Sequence, residues 1–209
     1  DLFKNSCKIN ILEKSELLKK TQKDKIKNKK IKWLNNLNEL NNFPCIFIAN
    51  EFFDALPIKQ FLKKEKKWYE RYVNFTNNKN LEYLDIPFDM KKFEKQIKFK
   101  ISHKQTFIEY SPLTTKYLKT IINKIKLNNG GILIIDYAYF EKEMKNTLQA
   151  VSKHKYCNVL KGFRNSDITY NISFNLINKI IKKLGPCSSL STTQKKFLTK
   201  LGILNRAEM

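Results

Sequence analysis

The sequence contains little glycine, proline, cysteine and histidine. Its 209 residues include five glycines, five prolines, four cysteines and two histidines. Such scarcity of glycine and proline argues against a collagen-like chain or a flexible linker. The cysteines are far apart, form no C-x-x-C pair and favour reduced thiols over a disulfide framework: Cys7, Cys45, Cys157 and Cys187. Zinc-ligand spacing, a G-x-x-x-x-G-K-[ST] phosphate loop and a G-x-S-x-G elbow are all absent, which disfavours metal, P-loop and serine-hydrolase chemistry.

Long apolar runs are absent as well. The longest, at 46–49 and 132–135, are far shorter than the ~20 residues that a membrane span requires, so no span is expected. With 42% hydrophobic residues the chain can still bury a core, as one domain or two small ones. The chain opens on Asp1 with neither an initiator Met, a signal segment nor a transit pattern, and we expect a fragment or a processed chain. Its expected location is a bacterial cytoplasm, with the mitochondrial matrix as the alternative.

Positive charge is in large excess. Forty-one Lys and Arg face nineteen Asp and Glu, for a net charge of +22. The lysine runs at 23–32 and 63–67 contain almost no arginine or interleaved aromatic residues, unlike nucleic-acid grooves. We therefore attribute the charge to compositional drift and keep a non-specific nucleic-acid-binding protein as an alternative.

Several helices are predicted from caps and 3.6-residue spacing. Ser15 precedes a helix that we expect to place Leu17, Leu18 and Ile26 on its core side. Ser111, followed by Pro112, is the predicted start of a second helix, and Ser191 is the predicted cap of a helix near the carboxyl end. Two further apolar helical stripes are expected in the core: Leu118, Ile121, Ile122 and Ile125, and Phe174, Ile177, Ile180, Ile181 and Leu184.

The predicted strands are of two kinds. Apolar segments at 8–12, 45–49 and 132–135 predict strands of a parallel sheet, and the continuous run 45–49 (C-I-F-I-A) predicts one that is covered on both faces. Segment 68–110 instead contains alternating, aromatic-rich stretches, including I-K-F-K-I at 97–101, which predict antiparallel hairpins with a turn at 77–80. Together they predict an α/β fold in which segment 68–110 is rich in antiparallel β-structure.

Polar side chains follow the predicted strand 45–49. Asn50, Glu51, Phe52, Phe53 and Asp54 place an amide, two carboxylates and two rings at one strand exit. Ligands of open parallel sheets bind beyond the carboxyl ends of strands. Two acids beside a buried strand are tolerated mainly where a cation or a donor meets them, so we favour a binding site over a simple turn.

Other candidate residues lie at neighbouring strand ends. Glu13 follows strand 8–12, where a carboxylate can bind the ribose hydroxyls of a nucleotide-like cofactor, although a surface acid is an equally good interpretation. Asp136 and Tyr137 follow strand 132–135 and could instead be a structural cap. His154 could be a base or simply an exposed polar residue.

These segments resemble the MidA-like family of S-adenosylmethionine-dependent methyltransferases. The motifs occur in the family's order: I-L-E-K-S-E-L-L-K-K-T-Q at 11–22, I-A-N-E-F-F-D-A-L-P-I-K-Q-F at 48–61, W-Y-E-R at 68–71, G-G-I-L-I-I-D-Y at 130–137, N-T-L-Q-A-V-S-K-H at 146–154, D-I-T at 167–169 and T-T-Q-K-K-F-L-T-K-L-G-I at 192–203. The resemblance covers nearly all of the chain. The sequence departs from the family pattern at two positions, where Ala138 replaces a glycine and Asn171 replaces a histidine. The glycine-rich loop that the family has before Glu13 is missing here, so we expect an amino-terminally truncated member.

The resemblance implies a Rossmann-like methyltransferase core at 1–61 and 106–209, with an inserted β-rich substrate-binding region at 62–105. It implies S-adenosylmethionine as cofactor and symmetric dimethylation of an arginine in a respiratory complex I subunit, with no specific nucleic acid as partner. An inactive assembly scaffold is the alternative. The expected roles are catalysis by Asn50, Glu51 and Asp54, cofactor binding by Glu13 and Asn50, and substrate binding by Phe52, Phe53, Asp136, Tyr137 and His154.

Overall fold

A computed structural model describes residues 2–27, 30–77, 80–161, 165–185 and 187–208. Its helices are α1 (Leu2–Ser6), α2 (Glu16–Lys25), α3 (Met90–Ile97), α4 (Pro112–Asn128), α5 (Phe174–Leu184), α6 (Gln194–Lys200) and α7 (Ile203–Ala207), with a 3-10 turn at Leu37–Glu39. Its strands are β1 (Ile9–Leu12), β2 (Ile31–Leu34), β3 (Cys45–Asn50), β4 (Lys59–Lys64), β5 (Lys67–Phe75), β6 (Leu81–Pro87), β7 (Phe107–Tyr110), β8 (Gly130–Ile135), β9 (Ala138–Tyr139), β10 (Gln149–Ser152), β11 (Lys155–Cys157), β12 (Asp167–Thr169) and β13 (Ile172–Ser173).

Parallel and antiparallel pairing coexist in the chain. Strands β1 and β2, β3 and β8, and β9 and β13 form parallel pairs. Strands β6, β5, β4 and β7 form an antiparallel sheet in that order, and β11, β10 and β12 form a smaller one. Parallel pairs connected through helices, beside antiparallel hairpins, confirm the predicted mixed α/β class.

The larger core lies between the β3–β8 pair and helices α4 and α5. Helix α4 begins as predicted, because the Ser111 hydroxyl accepts the N–H of Thr114. The Ser173 hydroxyl caps α5 in the same way by accepting the N–H of Leu176. Their apolar stripes are confirmed as core. The buried members of this cluster are Ala49, Phe53, Leu118, Ile122, Tyr170, Ile172, Ile177, Ile180 and Ile181.

A second core lies under the four-stranded antiparallel sheet. Its buried members are Phe61, Phe93, Ile108 and Tyr110. The Phe93 ring meets that of Phe61 at a tilt, with centroids 4.8 Å apart, and that of Tyr110 edge-on at 5.1 Å. The inner strand β4 begins at Lys59, which pairs with Tyr110 at the end of the edge strand β7, so the sheet extends beyond the predicted boundaries 62 and 105. Positions 62 and 105 therefore stay predicted limits of an inserted domain.

Segment 97–101 is not a strand, contrary to the alternating pattern. It follows α3, whose first turn is capped by Asp89, and the helix ends at Lys98 with a left-handed φ of 60°. Phe93, buried in the middle of α3, anchors the helix on the sheet, and this tertiary contact overrides the local alternation. Of the predicted turn 77–80, positions 78 and 79 lie outside the described residues.

Helix α2 begins at Ser15 as predicted, but its apolar residues do not face a core. Leu17 is 74% exposed and Leu18 is also exposed, as is Ile26 at the helix end. The buried face of the helix carries Lys19, whose Nζ donates to Glu16 and to the Asn35 side chain. These polar bonds fix the rotation of the helix, so the prediction for Leu17, Leu18 and Ile26 is wrong.

Strand β3 is covered on one face only. Phe47 is partly buried and Ala49 packs in the core with α4, whereas Ile46 and Ile48 on the other face are 83% and 71% exposed. The prediction of a strand covered on both faces is therefore wrong. The predicted cap Ser191 is also wrong by two residues, because the Thr193 hydroxyl accepts the N–H of Lys196 and α6 begins at Gln194.

Candidate functional site

The exits of β3 and β8 lie side by side. The two strands are parallel, with Cys45 opposite Gly130 and Asn50 opposite Ile135. The Glu51 N–H continues this ladder by donating to the Ile135 carbonyl at 2.9 Å. The residues that follow both strands therefore meet at one edge of the sheet, where open α/β sheets bind ligands.

Asp136 links the two exits. Its Oδ2 accepts the backbone N–H of Phe53 at 2.9 Å, and its Oδ1 accepts the N–H of Tyr137 at 2.9 Å. Burial first, and the neighbouring charge of Asp54 to a smaller extent, raise the pKa of Asp136 to about 6 against the opposing effect of its backbone hydrogen bonds. An acid cluster thus forms from residues that are more than eighty positions apart.

Asp54 is the most enclosed acid of this cluster. The residue is 4% exposed, and its Oδ1 is buried without a hydrogen-bond partner among the described residues. Burial raises the pKa of Asp54, and the charge of Glu51 adds to the rise. A buried carboxylate oxygen without a donor is costly, so this position favours a ligand that brings N–H groups or positive charge.

Asn50 and Glu51 lie at the surface beside Asp54. Both residues are exposed, and Glu51 has a φ of 46° in the left-handed region that non-glycine residues rarely adopt. Backbone strain of this kind concentrates at functional sites. The structure therefore brings Asn50, Glu51, Asp54 and Asp136 to one edge, with one acid buried and the amide and the other acid open to solvent.

The two phenylalanines hold this loop on α4. Phe53 is fully buried, and its ring meets that of Phe52 edge-on at 5.2 Å. Phe52 in turn contacts Tyr117 of α4 at 5.1 Å. Of the two predicted substrate-binding rings, only Phe52 keeps exposed surface, and Phe53 is a core residue that positions Asp54.

Two other predicted residues lie outside this cluster of contacts. Tyr137 is exposed directly after Asp136. His154 is exposed in the hairpin turn between β10 and β11, where it and Lys153 adopt left-handed φ values of 61° and 49°. No hydrogen bond or ion pair in the described part of the chain joins His154 to the strand exits.

Glu13 follows β1 and is held in place by two donors. Its Oε1 accepts the N–H of Ser15 at 2.8 Å and its Oε2 accepts Nε2 of Gln22 at 3.1 Å. Gln22 is itself fixed by the indole N–H of Trp33 at 3.0 Å. Each carboxylate oxygen keeps a further lone pair, so Glu13 can also accept hydrogen bonds from the ribose hydroxyls of an adenosyl cofactor.

Glu109 is a buried acid that the sequence did not single out. It is 4% exposed and accepts hydrogen bonds from Gln60, Thr147 and Leu148. Its position in the alternating segment F-I-E-Y gives no sign of this role, because every one of these partners is distant in sequence. A small cavity beside Glu109, lined also by Ser111, Thr114 and Tyr170, contains none of the predicted site residues.

Within the described ranges, no group of three or more His, Cys, Asp or Glu residues is arranged to hold a metal ion. No helix among the described residues is both long enough and apolar enough to cross a membrane.

Comparisons with known proteins agree with the resemblance. Protein arginine methyltransferase NDUFAF7 homolog, mitochondrial, of Caenorhabditis elegans is 28% identical over 182 residues, which are 84% of this chain and 42% of that protein. The human protein arginine methyltransferase NDUFAF7, mitochondrial, is 24% identical over 179 residues, or 83% of this chain and 38% of that protein. The chain thus spans about two fifths of the length of these relatives.

A solved structure shares the fold. A Burkholderia thailandensis protein, crystallised with S-adenosyl-homocysteine, superposes with a TM-score of 0.77 at 20% identity, covering 97% of this chain and 55% of that one. The sequence model of the family described as "Putative S-adenosyl-L-methionine-dependent methyltransferase" matches residues 1–193. A match over so much of the chain shows that the protein belongs to this methyltransferase family, whose cofactor is S-adenosylmethionine.

Proposed function

We propose that the acidic exits of β3 and β8 bind the guanidinium of an acceptor arginine for S-adenosylmethionine-dependent protein methylation. The observation that carries the proposal is the buried, unpartnered Oδ1 of Asp54 beside Asp136. The arginine specificity is taken from the names of the relatives.

A guanidinium matches this cluster chemically. It is planar, permanently charged and carries five N–H donors, which suit a cluster of carboxylates in which one buried oxygen has no donor. Asp54 supplies a buried acceptor, and Glu51 supplies an exposed one on a strained turn. Charge-assisted hydrogen bonds of this kind are roughly twice as strong as neutral ones, so they can orient one nitrogen for reaction.

The remaining residues position the reactants. Glu13 would hold the ribose hydroxyls of the cofactor, and Asn50 would offer its amide to the cofactor at the exit of β3. Bound S-adenosylmethionine would supply the methyl group of its sulfonium. In-line attack of an arginine nitrogen on that methyl carbon would break the carbon–sulfur bond and release the sulfur as the thioether of S-adenosyl-homocysteine. Orientation contributes most of the rate in such a step, because little covalent help from protein is needed. The nitrogen loses a proton, which an adjacent ionised carboxylate can accept.

The finer features stay predictions from the resemblance. They are symmetric dimethylation, a respiratory complex I subunit as the substrate, and the antiparallel sheet as the surface that binds it. The sequence favours a bacterial cytoplasm, whereas the named relatives are mitochondrial; we propose the mitochondrial matrix for this protein because the relatives carry that name.

The test is methyl transfer from labelled S-adenosylmethionine to an arginine-containing peptide. We expect Glu51→Gln and Asp54→Asn to lower the rate by about 10- to 100-fold, the effect of losing one charge-assisted contact. Glu143→Gln, which removes an exposed acid, is the matched control and should keep the rate. Cofactor binding by calorimetry and unfolding by circular dichroism separate loss of transfer from loss of cofactor or fold. Full transfer by both acid variants would contradict the proposal.

A further inference from the structure

Glu109 is a buried carboxylate without a cationic partner. No Lys, Arg or His in the described ranges forms an ion pair with it, although the chain carries a net charge of +22. It is stabilised instead by donors: Nε2 of Gln60 at 2.9 Å, the N–H groups of Thr147 and Leu148 at 3.1 Å each, and the Thr147 hydroxyl at 2.5 Å. Four donors around one buried anion offset its desolvation and fix its surroundings.

These donors join two parts of the fold. Glu109 and Gln60 lie on neighbouring strands β7 and β4 of the antiparallel sheet. Thr147 and Leu148 lie on the segment that leads into β10. Nε2 of Gln60 also donates to Oδ1 of Asn146 at 3.1 Å. The sheet therefore forms hydrogen bonds with three consecutive residues, 146–148. The carboxylate is therefore the centre of the contact between the sheet and segment 146–148.

The contact continues to the acidic exits. The Thr147 hydroxyl accepts the N–H of Asn171 at 2.9 Å. On either side of Asn171, the N–H of Tyr170 donates to the carbonyl of Asp54 at 3.1 Å, and the N–H of Ile172 donates to the carbonyl of Tyr137 at 2.9 Å. Segment 170–172 thus bonds at once to Thr147, to the exit of β3 and to the exit of β8.

We infer that Glu109 is a positioning residue, which acts through Thr147 and segment 170–172 to hold the exits of β3 and β8, and the acids they carry, in one arrangement. This inference rests on the proposed function. If an acceptor binds on the antiparallel sheet, the contact at Glu109 determines where that acceptor meets Asp54. Glu109 itself does not contact the reacting atoms. It gives a reason for a buried acid on a strand that otherwise contributes to the core.

Thr147→Val is the most informative variant, because it removes the hydroxyl and keeps the charge of Glu109 and the N–H of residue 147. The readout is the titration midpoint of the Asp136 carboxyl, followed by carbon-13 NMR. Asp136 is faced by Asp54, by the N–H groups of Phe53 and Tyr137, and by the Tyr170 phenol. If segment 170–172 loosens, water reaches Asp136 and the midpoint falls from about 6 towards 3.8.

We expect a fall of about half a pH unit or more in Thr147→Val and in Glu109→Gln, where an amide replaces the carboxylate among its donors. Thr147→Ser should restore the midpoint, because it keeps the hydroxyl. Asp85→Asn is the matched control: it removes another acid of the same sheet, one that pairs with Arg71 and Lys64 and not with segment 146–148.

An Asp136 midpoint that is unchanged in folded Thr147→Val would overturn the inference. So would an equal fall in Asp85→Asn, since the effect would then be a general loosening of the sheet. If Glu109→Gln does not fold, Thr147→Val decides alone. The titration needs neither cofactor nor acceptor, so its outcome is independent of the methyl-transfer assay on Glu51 and Asp54.

Discussion

Asp136 both connects the two strand exits and has a raised pKa. It joins the two strand exits through the N–H of Phe53, and burial raises its pKa to about 6. Between about pH 4 and pH 6 the folded protein holds a proton that the unfolded chain has released. The contribution of Asp136 to the free energy of unfolding is therefore present below about pH 4 and is lost as the pH rises through 6.

Asp136→Asn should remove this dependence. We expect the variant to show a flatter decline of unfolding free energy between pH 4 and pH 6, measured by denaturant titration at a series of pH values. The remaining decline comes from Asp54, whose pKa is raised in the same direction. Glu143→Gln serves as the control and should keep the original slope. An Asp136→Asn slope equal to that of the unmodified protein would contradict this assignment.

At the residue scale, the sequence predicts the acids that follow a strand and misses the acid that lies within one. Asp54 and Asp136 were accessible to prediction, because the end of a buried strand is recognisable from local apolarity. Glu109 was not, since its donors Gln60, Thr147 and Leu148 are 38 or more positions away. Long-range hydrogen bonds leave no local pattern.

The β3–β8 pair is the element on which the site depends. Gly130 begins β8 with a φ of 132°, and a Cβ at this position would lie 2.0 Å from the Cys45 carbonyl oxygen. The close approach sets the register that aligns Asn50 with Ile135 and so brings the two exits together.

Gly130→Ala should therefore destabilise the protein by about 2 kcal/mol or more, through both the clash and the positive φ. Gly131→Ala is the matched control, because no atom lies within 4 Å of its added Cβ. We expect that change to alter stability by less than about 1 kcal/mol. Denaturant unfolding of the two variants compares them directly, and equal stability would show that the approach of Gly130 to Cys45 does not hold the pair.

At the element scale, the predictions that succeeded combine a cap with an apolar stripe. Ser111 and α4 were predicted in this way, because capping and core packing agree there. Local patterns failed where a tertiary contact decides. The buried Lys19 turns Leu17 outwards, and α3 packs on the sheet ahead of the alternating segment 97–101. Ile46 and Ile48 show the same limit, since an apolar run does not reveal how many faces are covered.

The whole molecule carries a strong positive charge around an acidic site. A net charge of +22 will attract polyanions, but such attraction is electrostatic and falls steeply with salt. We expect duplex DNA to bind weakly at about 50 mM salt and to lose 10-fold or more of its affinity by about 200 mM. Fluorescence anisotropy over a salt series measures this, and tight binding that persists at high salt would favour the nucleic-acid alternative.

The central claim is that the acid cluster receives a guanidinium. The most direct measurement is the carbon-13 titration of the Asp54 carboxyl, with and without a saturating short peptide that contains one arginine. The pKa of Asp54 is raised in the free protein by burial and by Glu51, and a bound cation must lower it. We predict a fall with the arginine peptide and none with the same peptide containing neutral citrulline. An unchanged midpoint with arginine, or an equal fall with citrulline, would contradict the account.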